Sequence, residues 1–164
     1  MLKFFLGILI VAFTSLCGHL LAKKYRQRRL FFRQFKEFNE RFLSEIAYYR
    51  RPLKEFVSSY SYQGEFNEIL KDFFVFLDEK TPAKGIFGET FKYSFLSEEE
   101  QRTVEDYFLM LGKGDSSSQK GYFSSVKDIL STMHSNAENA AKRYGDLYIK
   151  IGFLCGLLVL ILIV

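Results

Sequence analysis

Residues that interrupt helices are scarce in this sequence of 164 residues, in which Pro occurs only twice. An interior Pro costs a helix about 3 kcal/mol, so a chain with few prolines and many long side chains favours helix. Both prolines, Pro52 and Pro82, stand where a helical bundle would need turns. No alternation of apolar and polar residues indicates a strand, and no internal repeat is visible. The sequence therefore predicts an all-α protein.

Residues suited to catalysis or metal binding are also few. Cys17 and Cys155 lie in apolar blocks at opposite ends of the chain, which favours neither a disulfide framework nor a metal site. His19 has no acidic residue in either block to pair with it, and His134 is expected at a surface. No phosphate-binding loop, dinucleotide fingerprint or metal-ligand spacing is present. We therefore expect a protein that is not an enzyme and that has no cofactor, metal or small-molecule substrate.

The first apolar block, residues 4–22, contains no formal charge. At about 1.5 Å per residue, a helix of this length is roughly 28 Å long, close to the hydrocarbon thickness of a bilayer. No small-residue cleavage site follows it, so an uncleaved anchor is favoured over a signal peptide. A basic collar follows directly: Lys23, Lys24, Arg26, Arg28 and Arg29. Because basic flanks stay in the cytoplasm, we expect the segment after residue 22 to be cytoplasmic.

The basic collar has two possible partners. Nucleic acid is one of them, but the collar lies beside a predicted membrane span. Anionic lipid headgroups attract each nearby basic residue by about 1 kcal/mol and are the simpler explanation. We therefore expect lipid headgroups, and not nucleic acid, at the collar.

The second apolar block, residues 147–164, is long enough to span a bilayer if Lys150 extends to the headgroups. Tyr144 and Tyr148 lie where an interfacial aromatic belt would be. Small residues four apart let helix backbones approach closely in lipid. Such pairs occur in both blocks, as Gly18-x-x-x-Ala22 and Gly152-x-x-x-Gly156. They could pack within the chain or against a partner, and the sequence leaves both possibilities open.

The segment between the blocks shows helical periodicity. One apolar stripe recurs at steps of three and four: Phe31, Phe35, Phe38, Phe42, Ile46 and Tyr49. We expect this helix to continue the first span and to end or bend at Arg51, because the residue before a proline is pushed out of the α region. A second helix is expected from Pro52 to about Tyr60. A third is expected to stop before Pro82, with apolar positions Phe66, Leu70, Phe73 and Leu77.

Later segments carry start signals for two more helices. Ser97 and Glu100 form a capping box. The helix that this box opens has apolar positions Val104, Tyr107, Phe108 and Leu111. A short helix around Glu89, within residues 83–95, is also expected. Asp115 or a following Ser is expected to cap the last helix.

The last helix shows an uninterrupted heptad seam that runs into the second apolar block. Its members are Phe123, Val126, Leu130, Met133, Ala137, Ala140, Tyr144, Leu147 and Ile151. The seam could pair with another chain, but the stripe from Phe31 to Tyr49 is available in the same chain. The sequence thus predicts an antiparallel helical bundle, residues 23–146, carried between transmembrane helices at 4–22 and 147–164.

Four segments, in this order, resemble the stage III sporulation protein AB family over nearly the whole chain. They are Gly18-His19-Leu20-Leu21-Ala22-Lys23, Glu45-Ile46-Ala47-Tyr48 followed by Pro52-Leu53, Leu111-Gly112-Lys113-Gly114-Asp115, and Gly152-Phe153-Leu154-Cys155-Gly156-Leu157-Leu158. The resemblance implies a membrane platform or scaffold subunit of a secretion-like channel that joins mother cell and forespore and is required for endospore formation. It also implies a soluble domain similar to the cytoplasmic bundles of type II secretion and type IV pilus platform proteins.

The same resemblance implies partners and a location. The expected partners are a secretion-type ATPase and the other membrane subunits of the channel. The expected location is the mother-cell membrane facing the forespore, with two spans and a cytoplasmic soluble domain. A free-standing two-span membrane adaptor, unrelated to secretion, is the alternative that the residues themselves leave open.

Overall fold

The computed structural model describes residues 2–49, 52–79, 93–111 and 116–163, with side chains over 5–48, 52–75, 93–111 and 119–162. Over these residues the chain is helical and contains no strand, which confirms the predicted all-α fold. The α-helices are α1 (Leu2–Ser44), α2 (Leu53–Ser58), α3 (Glu65–Glu79), α4 (Glu98–Leu111), α5 (Ser116–Ala140) and α6 (Asp146–Ile163). The described residues also include two π-helical segments, Glu45–Tyr49 after α1 and Ala141–Gly145 between α5 and α6. The expected helix around Glu89 and cap at Asp115 lie outside the described residues.

The chain divides into two compact units. The membrane unit comprises Met1–Arg29 and Ser135–Val164, and the bundle unit comprises Leu30–His134. Both units contain part of α1 and part of α5. The units follow from packing, whereas the boundaries at 4–22, 23–146 and 147–164 follow from hydropathy and stay a prediction.

The core of the bundle unit is built from aromatic rings. Phe31, Phe35, Phe38 and Phe42 of α1 are buried, as the stripe predicts. The Phe35 ring meets the Tyr107 ring of α4 nearly edge-on, with centroids 4.6 Å apart. Such pairs contribute about 0.5–1.5 kcal/mol beyond the area that they bury. Many of the phenylalanines of the sequence are therefore explained by the packing of one core.

The capping box is formed as the sequence predicts. The amide of Ser97 donates to Glu100 Oε2 at 2.9 Å, and the amide of Glu100 donates to Ser97 Oγ at 3.2 Å. These reciprocal bonds satisfy two amide groups that a helix start leaves without partners. The helix that follows, α4, buries all four of its predicted apolar positions: Val104, Tyr107, Phe108 and Leu111.

One buried side chain links three helices of the bundle unit. Asn39 of α1 donates through Nδ2 to the carbonyl of Phe123 in α5 at 3.1 Å. Its Oδ1 accepts a hydrogen bond from the Tyr107 hydroxyl of α4 at 3.0 Å. The Phe123 ring also packs edge-on against Phe42, with centroids 4.9 Å apart. These contacts fix the register of α4 and α5 against α1.

The predicted heptad seam holds for its first half and is wrong for its second half. Phe123, Val126, Leu130 and Ala137 are buried, but Tyr144, Leu147 and Ile151 are 36%, 45% and 45% exposed. Ala141, Gly145 and Gly156 are buried instead. A π-helical turn takes in about one residue more than an α-helical turn, because its hydrogen bonds run from i to i+5. The segment Ala141–Gly145 thus moves the inward face by one residue.

Candidate membrane anchor and juxtamembrane site

Glycines bring the backbones of α1 and α6 into close approach within the membrane unit. A methyl group built on Gly18 would lie 2.5 Å from the Tyr148 carbonyl oxygen and 3.3 Å from the Gly152 Cα. A methyl group built on Gly152 would lie 2.7 Å from the Thr14 carbonyl oxygen. Real Cβ atoms are not found at such distances from backbone, so only Gly fits at these two positions. Each of the two small-residue motifs contributes one of them.

The same approach continues toward the other end of α1. A methyl group on Gly156 would lie 2.8 Å from the Val11 Cα and would overlap the Thr14 hydroxyl. A methyl group on Gly7 would overlap the Leu160 side chain. The Thr14 hydroxyl donates to the carbonyl of Ile10 at 3.0 Å, within its own helix. The contacts run in opposite directions along the two helices, so α1 and α6 pair antiparallel.

The structure thus places the small residues of both motifs at one helix–helix contact within the chain. Ala22, one turn after Gly18, is fully buried. Sequence reasoning missed Gly7 and Thr14. Whether this contact also receives a partner is a separate question and stays a prediction.

Two candidate membrane-spanning helices lie among the described residues, within Phe5–Tyr48 and Gln119–Leu162. Each is long and apolar enough to cross a bilayer. Only 17% and 11% of the residues in their most apolar stretches are buried, whereas a core helix of a soluble protein is mostly buried. Their outward side chains are large and apolar, including Phe13, Leu20, Leu154 and Leu158.

A tyrosine cluster lies where the apolar part of the membrane unit ends. The Tyr25 ring is 5.5 Å from the Tyr144 ring and 5.8 Å from the Tyr148 ring, measured between centroids. The side chains of Tyr25 and Tyr148 are hydrogen-bonded. The Arg143 guanidinium lies 5.4 Å from the centroid of the Tyr144 ring. Sequence reasoning identified Tyr144 and Tyr148 but missed Tyr25, which follows Gly18 by one heptad.

The basic collar lies entirely on α1. Lys23, Lys24, Arg26 and Arg29 are exposed, and Arg28 is half-buried. Arg28 lies close enough to act electrostatically on Tyr25. Exposed cations beside an apolar helix surface suit contact with anionic headgroups.

The remaining candidate residues are dispersed. Cys17 and Cys155 are both free and exposed. His19 is exposed on α1, and His134 is half-buried on α5. No group of three or more His, Cys, Asp or Glu that could hold a metal occurs among the residues whose side chains are described.

Comparisons with known proteins agree with the resemblance in the sequence. No curated protein and no solved structure matches the chain. A comparison with protein families matches residues 3–164 to stage III sporulation protein AB. The match covers both candidate spans and the whole bundle unit. The chain therefore belongs to the stage III sporulation protein AB family.

Proposed function

We propose that this protein is a membrane platform subunit of a secretion-like channel complex between mother cell and forespore. It holds other subunits in place and transforms no substrate. Membership of a sporulation family supports the biological context. One observation carries the scaffold role. An antiparallel pair of apolar helices, in contact at Gly18 and Gly152, belongs to the same chain as an aromatic helical bundle.

The buried polar side chains of the bundle unit support a structural role. Asn39 accepts a hydrogen bond from the Tyr107 hydroxyl and donates one to the backbone of α5. The Gln34 side chain accepts from the amide of Gln63, and the Gln119 side chain donates to the carbonyl of Met110. All of these bonds join elements of the bundle, so these groups act in packing.

The proposed partners are a secretion-type ATPase and the other membrane subunits of the channel, together with anionic lipid headgroups. The proposed location is the mother-cell membrane facing the forespore, with the bundle unit in the cytoplasm. The basic collar on α1 supports this orientation, because basic flanks remain on the cytoplasmic side of a span.

Recovery of partners from sporulating cells tests the proposal. A tagged, functional full-length protein is expected to recover the secretion-type ATPase or other channel subunits. Deletion of the gene is expected to stop spore development after engulfment and to leave vegetative growth normal. A functional tagged protein that repeatedly recovers none of these subunits would contradict the platform role.

A free-standing membrane adaptor is the second candidate. The basic collar and the tyrosine cluster favour it, since both suit a membrane surface without any channel. An adaptor is expected to be recovered without the ATPase. Its gene is expected to lie apart from genes for a secretion-type ATPase and small membrane proteins, whereas a platform gene is expected beside them.

A further inference from the structure

We infer that the membrane unit binds the phosphate of an anionic phospholipid beside the cluster of Tyr25, Tyr144 and Tyr148, with Arg28 and Arg143 as its charged partners. This inference deepens the proposed function and rests on the lipid contact proposed there for the basic collar. It assigns that contact to a defined place on the two paired helices.

The charges of the two facing segments support the inference. Residues 23–29 of α1 include five basic and no acidic side chains. Residues 138–150 on the other helix include three basic side chains, together with Glu138 and Asp146. Glu138 is already paired with Lys142 at 3.0 Å. The two facing segments thus have a large excess of positive charge, which attracts a phosphate.

The position of the tyrosine cluster along the two helices also supports the inference. Because Gly18 faces Tyr148 and Gly152, the two helices change from apolar to polar at the same level. The Tyr25 ring then meets Tyr144 and Tyr148 one heptad further along α1. Tyrosine is enriched at this level of a bilayer, where phosphates lie. A free anion or a nucleic acid would gain nothing from the apolar surface beside the cluster, whereas a lipid has acyl chains to cover it.

The arrangement of arginine side chains beside the tyrosine cluster suits a phosphate. Arg143 stacks over the Tyr144 ring, and Arg28 lies close enough to Tyr25 to act on it electrostatically. Stacking occupies the face of the Arg143 guanidinium and leaves the N–H groups in its plane directed outward. These N–H groups match the oxygens of a phosphate in a bidentate manner, which an ammonium group cannot do. Leu21 and Leu147 are exposed on neighbouring turns and offer contacts for the acyl chains.

Lipid retention by the isolated full-length protein tests the inference. The protein is placed in nanodiscs with equal amounts of phosphatidylglycerol and phosphatidylcholine, released, and analysed by native mass spectrometry. We expect preferential retention of phosphatidylglycerol. The double variant Arg28→Gln/Arg143→Gln is expected to lower this preference about 30-fold, from about 1 kcal/mol for each basic residue. The matched double variant Arg102→Gln/Lys127→Gln, which removes two charges from the bundle unit, is expected to retain the wild-type preference.

A charge-conserving variant separates a built site from diffuse attraction. Arg28→Lys/Arg143→Lys keeps both charges and is expected to lose much of the preference, because the bidentate contact of Arg143 is lost. A wild-type preference in this variant, or an equal loss in both Gln variants, would overturn the inference. No channel subunit is present in this experiment, so its failure leaves recovery of the ATPase as a separate test of the proposed function.

Discussion

The hydroxyl of Tyr107 donates a hydrogen bond to Oδ1 of Asn39, across 68 residues of sequence, in the interior of the bundle unit. Both side chains are almost fully buried. This bond and the bond from Asn39 to the Phe123 carbonyl are directional contacts within a core that is rich in aromatic rings. The pair therefore specifies a register that ring packing alone would leave less well defined.

Tyr107→Phe is expected to destabilise the full-length protein by about 1–3 kcal/mol, because Asn39 Oδ1 is left buried without its donor. The measurement is thermal or chemical unfolding in detergent. Tyr60→Phe, at an exposed ring, is the matched control and is expected to change little. Equal stability of the two variants would mean that the hydroxyl bond contributes nothing to the folded state.

Gly152→Ala is expected to weaken the pairing of α1 and α6, because the added methyl group meets the backbone of α1 at Thr14 and Gly18. The full-length protein in detergent should unfold at a lower temperature. Gly145→Ala is the matched control in the same unit, since a methyl group there meets nothing within 4 Å. It is expected to be neutral or to stabilise by about 0.5–1 kcal/mol through helix propensity. A Gly152→Ala variant as stable as the control would rule out close packing here.

The π-helical turn predicts an unusual tolerance to deletion. Removal of Lys142 should convert Ala141–Gly145 into an ordinary α-helical turn and leave Gly152 and Gly156 facing α1, since only the additional residue is lost. Removal of Lys127, within regular α5, rotates the following residues by about 100° and should destabilise the protein strongly. Unfolding of both deletion variants in detergent is the measurement. An equal loss of stability in the two deletion variants would argue against the π-helical turn.

Alkaline pH should destabilise the bundle unit through its tyrosines. Burial, helped by nearby Glu65, Asp72 and Glu68, raises the pKa of Tyr93 from 10.0 to about 12. The folded state then holds this proton more tightly than the unfolded chain. The stability linked to it is fully present below pH 10 and is lost as the pH rises toward about 12. Tyr93→Phe should therefore show a shallower loss of stability over this range than wild type, and Tyr48→Phe, at an exposed ring, should follow wild type.

Topology can be tested by labelling. With both native cysteines replaced, single cysteines at Ser59 and Ser124 should resist an impermeant thiol reagent in intact cells and react after lysis. Both positions are exposed on the bundle unit, so shielding would come from the membrane alone. Labelling without lysis would place the bundle unit outside the cytoplasm.

Local signals in the sequence predicted much of the bundle unit. The stripe from Phe31 to Phe42, the Ser97 capping box and the apolar face of α4 depend on periodicities of a regular α-helix, and the structure confirms them. The inward face beyond Ala137 could not be predicted in this way. A continuous heptad pattern gives no sign of a π turn, and the gain from bringing Gly152 against Gly18 depends on the distant helix.

The sequence predicted only two of the three tyrosines in the juxtamembrane cluster, because the third depends on a contact with a distant helix. Tyr144 and Tyr148 stand out because they precede an apolar block. Tyr25 is placed within a run of basic residues, and only its contact with the opposite helix shows its role. Pairings between distant segments of sequence are the information that composition and spacing lack.

The long sequence separation within the bundle core has a consequence for biosynthesis. Asn39 and its stripe of phenylalanines are synthesised early, but Phe123 follows 84 residues later. At about 5–20 residues per second, ribosomes need roughly 4–17 s to supply that partner. During this interval a row of aromatic side chains emerges after the first apolar segment and has no core to enter. The nascent chain is therefore at its most aggregation-prone before its last helix is made, and its yield in cells should depend on chaperones that act on the ribosome.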